Sequence, residues 1–250
     1  MKSKKGIRKV LSMFNILASV QIIKKPMPTG IRRLATISIP FPLNSETQQL
    51  VSTTFNSRNS LYFNRLDPKY GAQIDFNYVK NRTLLTTGFE NRILQSQGIT
   101  ARWNIVKTLN IQTSYTNGLK ANESDFFKTL QYRYTFNDAF ADLSYQFKTT
   151  LRLSTRYDFS IKKNPTDSVG IQQAQIHKAT LNARYNRLGK TSVDATVAYA
   201  SIVYNDKGYV NAQLEFAMLE GLRNGNNLVW TLAFEQNLTA NIQLAITYDG

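Results

Sequence analysis

Three observations predict an all-β chain, an antiparallel transmembrane β-barrel, complete or partial, of roughly twelve to fourteen strands. From about residue 71 onward, apolar and polar residues alternate with period two in run after run. No stretch approaches the roughly twenty consecutive apolar residues that a membrane helix needs. The chain holds 13 Tyr, 14 Phe and 2 Trp against only 6 Pro and 12 Gly. That supply suits strands and membrane–water interfaces.

The runs follow one another closely. Ala72, Ile74, Phe76 and Tyr78 oppose Gln73, Asp75 and Asn77. Ile99, Ala101, Trp103 and Ile105 oppose Thr100, Arg102 and Asn104. Leu109, Ile111 and Tyr115 oppose Asn110, Gln112 and Ser114, and Leu130, Tyr132, Tyr134 and Phe136 oppose Gln131, Arg133 and Thr135. Further runs are expected over 139–147, 151–161, 179–185, 193–199, 210–218, 228–235 and 242–249. In 210–218 the reading puts Ala212, Leu214, Phe216 and Met218 against Gln213 and Glu215, with no helix interrupting the series. Asn117-Gly118, Asn137-Asp138 and Asp206-Lys207-Gly208 read as the turns between runs.

Runs of eight to twelve residues are long for a soluble sheet and match a tilted bilayer crossing. Aromatics recur near their ends, at Tyr115, Phe136, Phe147, Tyr157, Tyr185, Tyr199 and Tyr248. A soluble β-sandwich binding module is the alternative, since its inner faces alternate too. It accounts less well for second faces that are polar throughout.

Residues 1–70 form a basic segment with one or two strands and irregular links, and residues 71–250 carry the barrel strands. Of the net +15, nine charges lie at Lys2, Lys4, Lys5, Arg8, Lys9, Lys24, Lys25, Arg32 and Arg33, with no acid before Glu46. The run after Lys9 imitates a signal peptide, but Ser12, Asn15 and Ser19 interrupt it. Its alternation at Phe14, Ile16, Ala18, Val20 and Ile22 favours a strand. Another is expected over 33–39, and Pro26, Pro28, Pro40 and Pro42 mark irregular links.

Beyond residue 72 the polar faces balance eight basic residues, among them Arg92, Lys148 and Lys178, against eight acidic ones, among them Asp75, Glu90, Asp194 and Asp249. A charge in lipid costs roughly 2–4 kcal/mol at midplane, so these should face the interior. The candidate lumen-lining residues are Arg102, Arg133, Asp142, Arg152, Arg156, Asp158, Arg184, Glu215 and Glu235. Pairing across neighbouring strands is the plain structural use of such charges. A water-filled lumen biased by Arg133, Arg152, Arg156 and Arg184 is the functional one.

Catalysis finds little material. There is no cysteine and a single histidine, His177. No G-x-S-x-G, P-loop or dinucleotide pattern occurs, so no catalytic set, metal or cofactor is expected. An outer-membrane hydrolase using His177 is the remaining enzymatic alternative. Nucleic acid is not the expected partner, because the aromatics lie on the apolar faces. Outer-membrane lipid is, with other outer-membrane or surface proteins after it.

Two segments carry a resemblance. Ser60-Leu61-Tyr62-Phe63-Asn64-Arg65-Leu66-Asp67-Pro68-Lys69-Tyr70-Gly71 is one, and Met218-Leu219-Glu220-Gly221-Leu222-Arg223-Asn224-Gly225-Asn226-Asn227 with Trp230 and Tyr248-Asp249-Gly250 is the other. Both resemble segments of large uncharacterised outer-membrane barrel proteins of the Bacteroidota. The resemblance implies a barrel in the outer membrane of a Gram-negative cell and specifies no activity. The alternating faces and the balanced polar interior point to a pore or transport element, or to the membrane anchor of a surface assembly. The resembled proteins continue into one more strand ending in an aromatic residue. By that comparison this chain lacks the last strand, and a fragment of a longer protein is expected.

Overall fold

The structure is a computed structural model that describes residues 14–26, 50–86, 88–164, 172–187, 190–205, 211–239 and 242–250. The expected strand over 33–39 and the turn at 206–208 lie outside the described residues. Eleven strands form one sheet in chain order: β1 (Phe14–Pro26), β2 (Leu50–Phe63), β3 (Tyr70–Leu85), β4 (Gly88–Val106), β5 (Leu109–Ser124), β6 (Tyr132–Phe147), β7 (Leu151–Lys163), β8 (Gln173–Arg187), β9 (Thr191–Asn205), β10 (Gly225–Thr239) and β11 (Ile242–Asp249). Every strand pairs antiparallel with its sequence neighbours. It is one sheet and not the two layers of a sandwich. β1 and β11 are its edges. A helix, α1 (Ala212–Leu219), sits in the β9–β10 connection.

Among the described residues eleven strands stand where roughly twelve to fourteen are expected; the run over 210–218 contains a helix, and two of the expected runs are one strand. Asn137-Asp138 is not a turn but lies inside the 16-residue β6. Asn117-Gly118 likewise lies inside the 16-residue β5. The runs read on either side of Asn137-Asp138 belong to one strand, and what changes there is the phase of the alternation. In β5 the phase continues unbroken, with Leu119 and Ala121 on the face of Tyr115 and Lys120 on that of Gln112.

The phase change follows from register. Directly paired residues of neighbouring strands share a face, so each face can be followed across the sheet. In the lower part of β6, Ala139, Ala141, Leu143, Tyr145 and Phe147 lie on one face, with Asp138, Asp142, Ser144 and Gln146 on the other. Above Asn137 the two exchange. Thr135 and Arg133 now lie on the face of Leu143, while Phe136 and Tyr134 lie on the face of Asp142 and are buried. β8 and β9 do the same. Ala174, Ile176, Ala200 and Ile202 are buried above, while Lys178, Arg184, Thr196 and Asp194 occupy the same face below.

The lower parts therefore carry a continuous apolar band on one face. It includes Ile99, Trp103, Tyr115, Leu143, Tyr157, Leu181, Tyr199, Leu232 and Ile246, all exposed. The band drifts across the sheet. Ala18 of β1 shares a cross-strand row with Asn137 of β6, whereas Ile246 of β11 shares one with Phe147. Both are central to their strands' apolar runs. The drift is thus roughly one residue per strand step, and with a rise of ~3.3 Å and a spacing of ~4.8 Å it corresponds to a tilt of about 35°.

The interior of β5 shows how tight the upper part is. Gly118 pairs with Phe136, and a Cβ there would come within 2.4 Å of the Gln95 carbonyl oxygen and 2.5 Å of the Phe136 ring. Gly118→Ala should therefore cost about 1–3 kcal/mol of folding stability through overpacking. Urea titration of the detergent-solubilised chain measures it, and an unchanged midpoint would contradict the ring-on-glycine contact.

Candidate functional site

The face opposite the apolar band is a polar wall. One cross-strand row on it runs Arg102, Gln112, Asp142, Arg156, Thr180, Ala198. A second runs Asn110, Ser144, Ser154, Asn182, Thr196, Thr231. A third runs Gln146, Arg152, Arg184, Asp194. Two ion pairs cross this wall: Arg156–Asp158 at 2.7 Å and Arg184–Asp194 at 2.5 Å. The Arg156 guanidinium also lies 3.8 Å over the Phe140 ring. Asn182 donates to Thr196 Oγ1 at 2.7 Å, joining neighbouring strands.

Of the sequence-derived candidates, the wall gathers Arg102, Asp142, Arg152, Arg156, Asp158, Arg184 and Glu235. It does not gather Arg133 or Glu215. Arg133 lies above the phase change on β6, on the face of the apolar band. Glu215 lies in the first turn of α1, not on a strand. Lys148 also leaves the wall. It sits in the β6–β7 turn with φ 50°, its ammonium 5.4 Å over the Phe147 ring.

Arg102 has a particular task. Its Nη2 donates to the backbone carbonyls of Asn64, Arg65 and Asp67 at 3.3, 3.0 and 2.7 Å. These carbonyls belong to the β2–β3 turn. A Cβ on the facing Gly71 would meet Arg102 Nε at 3.0 Å and the Asn64 carbonyl oxygen at 3.1 Å, so a larger residue would press on the Arg102 side chain. Asn104 donates to the Pro68 carbonyl from its side-chain amide, and its backbone N–H reaches the Lys69 carbonyl at 2.6 Å. The Lys69 N–H donates to Asp67 Oδ1 at 2.7 Å and holds that carboxyl below its ordinary value.

The upper part of the same face is covered by α1. Asn211 caps it by accepting from the N–H groups of Gln213 and Leu214 at 3.2 and 3.1 Å, while its own amide donates to the Gln131 carbonyl. Leu214, Met218 and Leu219 pack with Tyr134, Phe136, Ala174, Ile176 and Ile202. The Tyr134 hydroxyl donates to the Ala217 carbonyl at 3.2 Å. Lys162, only 3% exposed, donates to the Met218 carbonyl at 2.9 Å and to Glu220 Oε1 at 2.6 Å. A cation at the carbonyl end of a helix is favoured by the helix dipole. The chain then turns away through Glu220 and Gly221, at φ 58° and 79°, the left-handed exit common at helix ends.

Sequence reasoning missed α1 because Ala212, Leu214, Phe216 and Met218 alternate by chance. A capping Asn211, an acid in the first turn and Gly221 after the end are the helix signals that were present. It also missed Lys162, whose burial depends on a helix 50 residues later in the chain. Below α1 the wall forms a cavity of about 420 Å³ lined by Asp138, Phe140, Arg156, Asp158, Lys178 and Glu220, among others. His177 lies on the other face. It shares hydrogen bonds with the Tyr157 hydroxyl at 2.6 Å and the Gln175 amide at 2.9 Å, with the Phe159 ring 4.8 Å away.

No protein-family model matches the chain, and no curated protein matches it in sequence. Among solved structures it is similar to the translocator domain of the autotransporter NalP from Neisseria meningitidis, at 12% identity and a TM-score of 0.30, over 100% of this chain and 90% of that one. It is also similar to the Pseudomonas putida toluene transporter TodX, at 8% identity and a TM-score of 0.36, over 94% and 72% of the two chains. Likeness at these levels carries no argument here. The reading of this protein rests on its register and its two faces.

Two outcomes follow from the wall. Lys162→Met keeps the side-chain length but removes the ammonium, and should weaken the docking of α1 by about 1–3 kcal/mol. Limited trypsin cleavage after Arg223 should accelerate in the folded protein, and an unaltered rate would show that Lys162 does not hold the helix. The Asp67 carboxyl, lowered in the folded state, contributes to the turn above its ordinary 3.8, and that contribution is lost as pH falls through the lowered value. The Lys69 amide proton should shift upfield below about pH 4 in NMR spectra of the folded protein, and in Asp67→Asn the shift should be absent.

Proposed function

We propose that this chain is the membrane-spanning sheet of an outer-membrane β-barrel protein that serves as a pore or transport element, or as the anchor of a surface assembly. The observation that carries the reading is the apolar band. The lower parts of the strands share one apolar outward face, and the band tilts by about the angle at which barrel strands cross a bilayer. The longest strands exceed what the membrane alone needs. β4 has 19 residues, roughly 60 Å of extended chain, against a hydrocarbon core of ~30 Å.

In this reading the polar wall faces the lumen, lined by Asp142, Arg152, Arg156, Asp158, Arg184 and Glu235, with Arg102 at the rim. Acids and bases are mixed along it, so a lumen of this kind passes hydrophilic solutes with weak charge preference. α1 occupies its upper mouth. Connection lengths supply the orientation. Counted as residues between described strand ends, the lower-end separations are 64–69, 107–108, 148–150, 188–190 and 240–241. At the upper end four of five separations are longer, at 27–49, 125–131, 164–172 and 206–224, with 86–87 the exception. Short turns face the periplasm in such barrels and long loops face outward. The lipid of that membrane is the principal partner.

Brominated acyl chains should quench Trp103 and Trp230, which share one row of the apolar band and are the protein's 2 tryptophans. Acrylamide in the aqueous phase should quench them little. Recovery of the folded chain in the soluble fraction without detergent would overturn the membrane reading. Stepwise conductance in planar bilayers would support a pore, and its absence from an inserted, folded protein would leave the anchor.

A further inference from the structure

Where the apolar band ends on β4, β5 and β6, the same outward face carries a groove of about 560 Å³ that reaches across β3 to β2. Asn59, Phe76, Tyr78, Gln95, Gln97 and Asn117 supply much of its lining. We propose that this groove binds the headgroup of a phosphorylated glycolipid in the facing membrane leaflet, a proposal that rests on the outer-membrane reading above.

The lining is unlike the band beneath it. Its amides and hydroxyls are neutral donors and acceptors, and its two aromatics stand among them. Phe76 is 50% exposed. Neutral amides beside an open aromatic face match a sugar ring, which offers hydroxyls at its edge and C–H groups on its faces. Gln95 and Gln97 are exposed and make no side-chain hydrogen bond among the described residues. Asn117 is already oriented, donating to Asn137 Oδ1 at 2.6 Å, and the Tyr115 hydroxyl reaches the same oxygen at 2.9 Å. The volume falls within the range of small-molecule sites.

Cations flank the groove. Lys80 follows two residues after Tyr78 on β3. Lys163 of β7 pairs directly with Thr135, which lines the groove, and Arg133 lies two residues before Thr135. All three are exposed, and none has an acidic partner among the described residues. Glu123, at the upper end of β5, is the one acid on this face of the described strands. Lys163 also comes one outward position after Ile161, the last apolar residue on the outward face of β7. That level is where lipid phosphates meet a protein that leaves the hydrocarbon. Sugar-binding chemistry and phosphate-binding charge are therefore side by side, at the depth of a headgroup.

The test uses the folded full chain in detergent micelles, with native mass spectrometry as readout. The probes are diphosphoryl lipid A, phosphatidylglycerol and water-soluble glucosamine phosphate. Lipid A should bind at least about tenfold more tightly than phosphatidylglycerol. Gln95→Ala with Gln97→Ala should erase that preference while leaving the phosphatidylglycerol affinity unchanged. Lys80→Gln with Lys163→Gln should weaken lipid A by about tenfold, since charge-assisted contacts are lost. Each variant must keep its heat-modifiable mobility, so that misfolding is seen separately. Equal binding of the two lipids, or a preference that survives both double variants, overturns the proposal and leaves the barrel intact. Glucosamine phosphate binding as tightly as lipid A would assign the groove to a soluble sugar and overturn it too. A chain that stays in solution without detergent brings down the membrane reading itself, before any lipid is added.

Discussion

Everything in this protein depends on an unbroken antiparallel ladder in which each strand pairs only with its sequence neighbours. Inside hydrocarbon no water replaces a missing backbone hydrogen bond, so the ladder must satisfy every N–H and C=O it carries there. The same ladder fixes register, and register fixes which side chains face lipid. A slip by one residue in β7 would move Arg156 and Asp158 into the band and withdraw Tyr157. At roughly 2–4 kcal/mol for a basic residue at midplane, and less for an acid, the wrong register is excluded on charge alone. The lower turns reinforce this. Arg102 gathers three carbonyls of the β2–β3 turn and so sets where β3 begins against β4.

The strands also change solvent along their own length, and the faces invert where they do. In the proposed membrane reading, the outward face below Asn137 meets lipid and the other face is wet. Above it the outward face meets water, and the inward face is free to become apolar. An apolar inward face needs a cover, and α1 is that cover. Leu214 and Met218 are 1% and 0% exposed because Phe136, Ile176 and Ile202 had nothing else to pack against. The inversion and the helix are thus one feature. Lys162 belongs to it as well. It is the last cation on the wall before the apolar patch, and its ammonium is spent on the end of the helix rather than on the lumen.

Much of this fold was legible in the sequence, and the failures have causes. Long runs such as Ile99–Ile105 and Leu151–Ile161 report their strands directly, since lipid and water lie on opposite sides of them. Asn137-Asp138 reads as a turn because the alternation of β6 shifts by one residue there, whereas Asn117-Gly118 is a turn-type dipeptide inside a strand whose phase continues unbroken. β2 was not recognised as a strand over its length, because Ser57 and Asn59 face outward in the groove between apolar Phe55 and Leu61. Arg133 was placed with the wall by a local pattern that is correct for Tyr132–Phe136 and reversed relative to the rest of β6. Only pairing with β5 and β7 reveals the reversal. Period two in 210–218 competed with a capped helix, and packing against a distant patch decided for the helix.

The wall's ion pairs bear on what a lumen built on this sheet would select. In Arg156–Asp158 the side chains are 44% and 30% exposed, and in Arg184–Asp194 they are 60% and 30% exposed. Pairs so open to water contribute about 0–1 kcal/mol each, too little to account for their presence as staples. Their cost on the opposite face would be several times larger. These residues are therefore placed by exclusion from lipid more than by attraction to each other. Once on the wet face they pair with whichever neighbour the register provides: i with i+2 along β7, and directly across from β8 to β9. That is why acids and bases end up interleaved rather than sorted, and why a lumen built on this sheet has a mixed lining instead of a field of one sign.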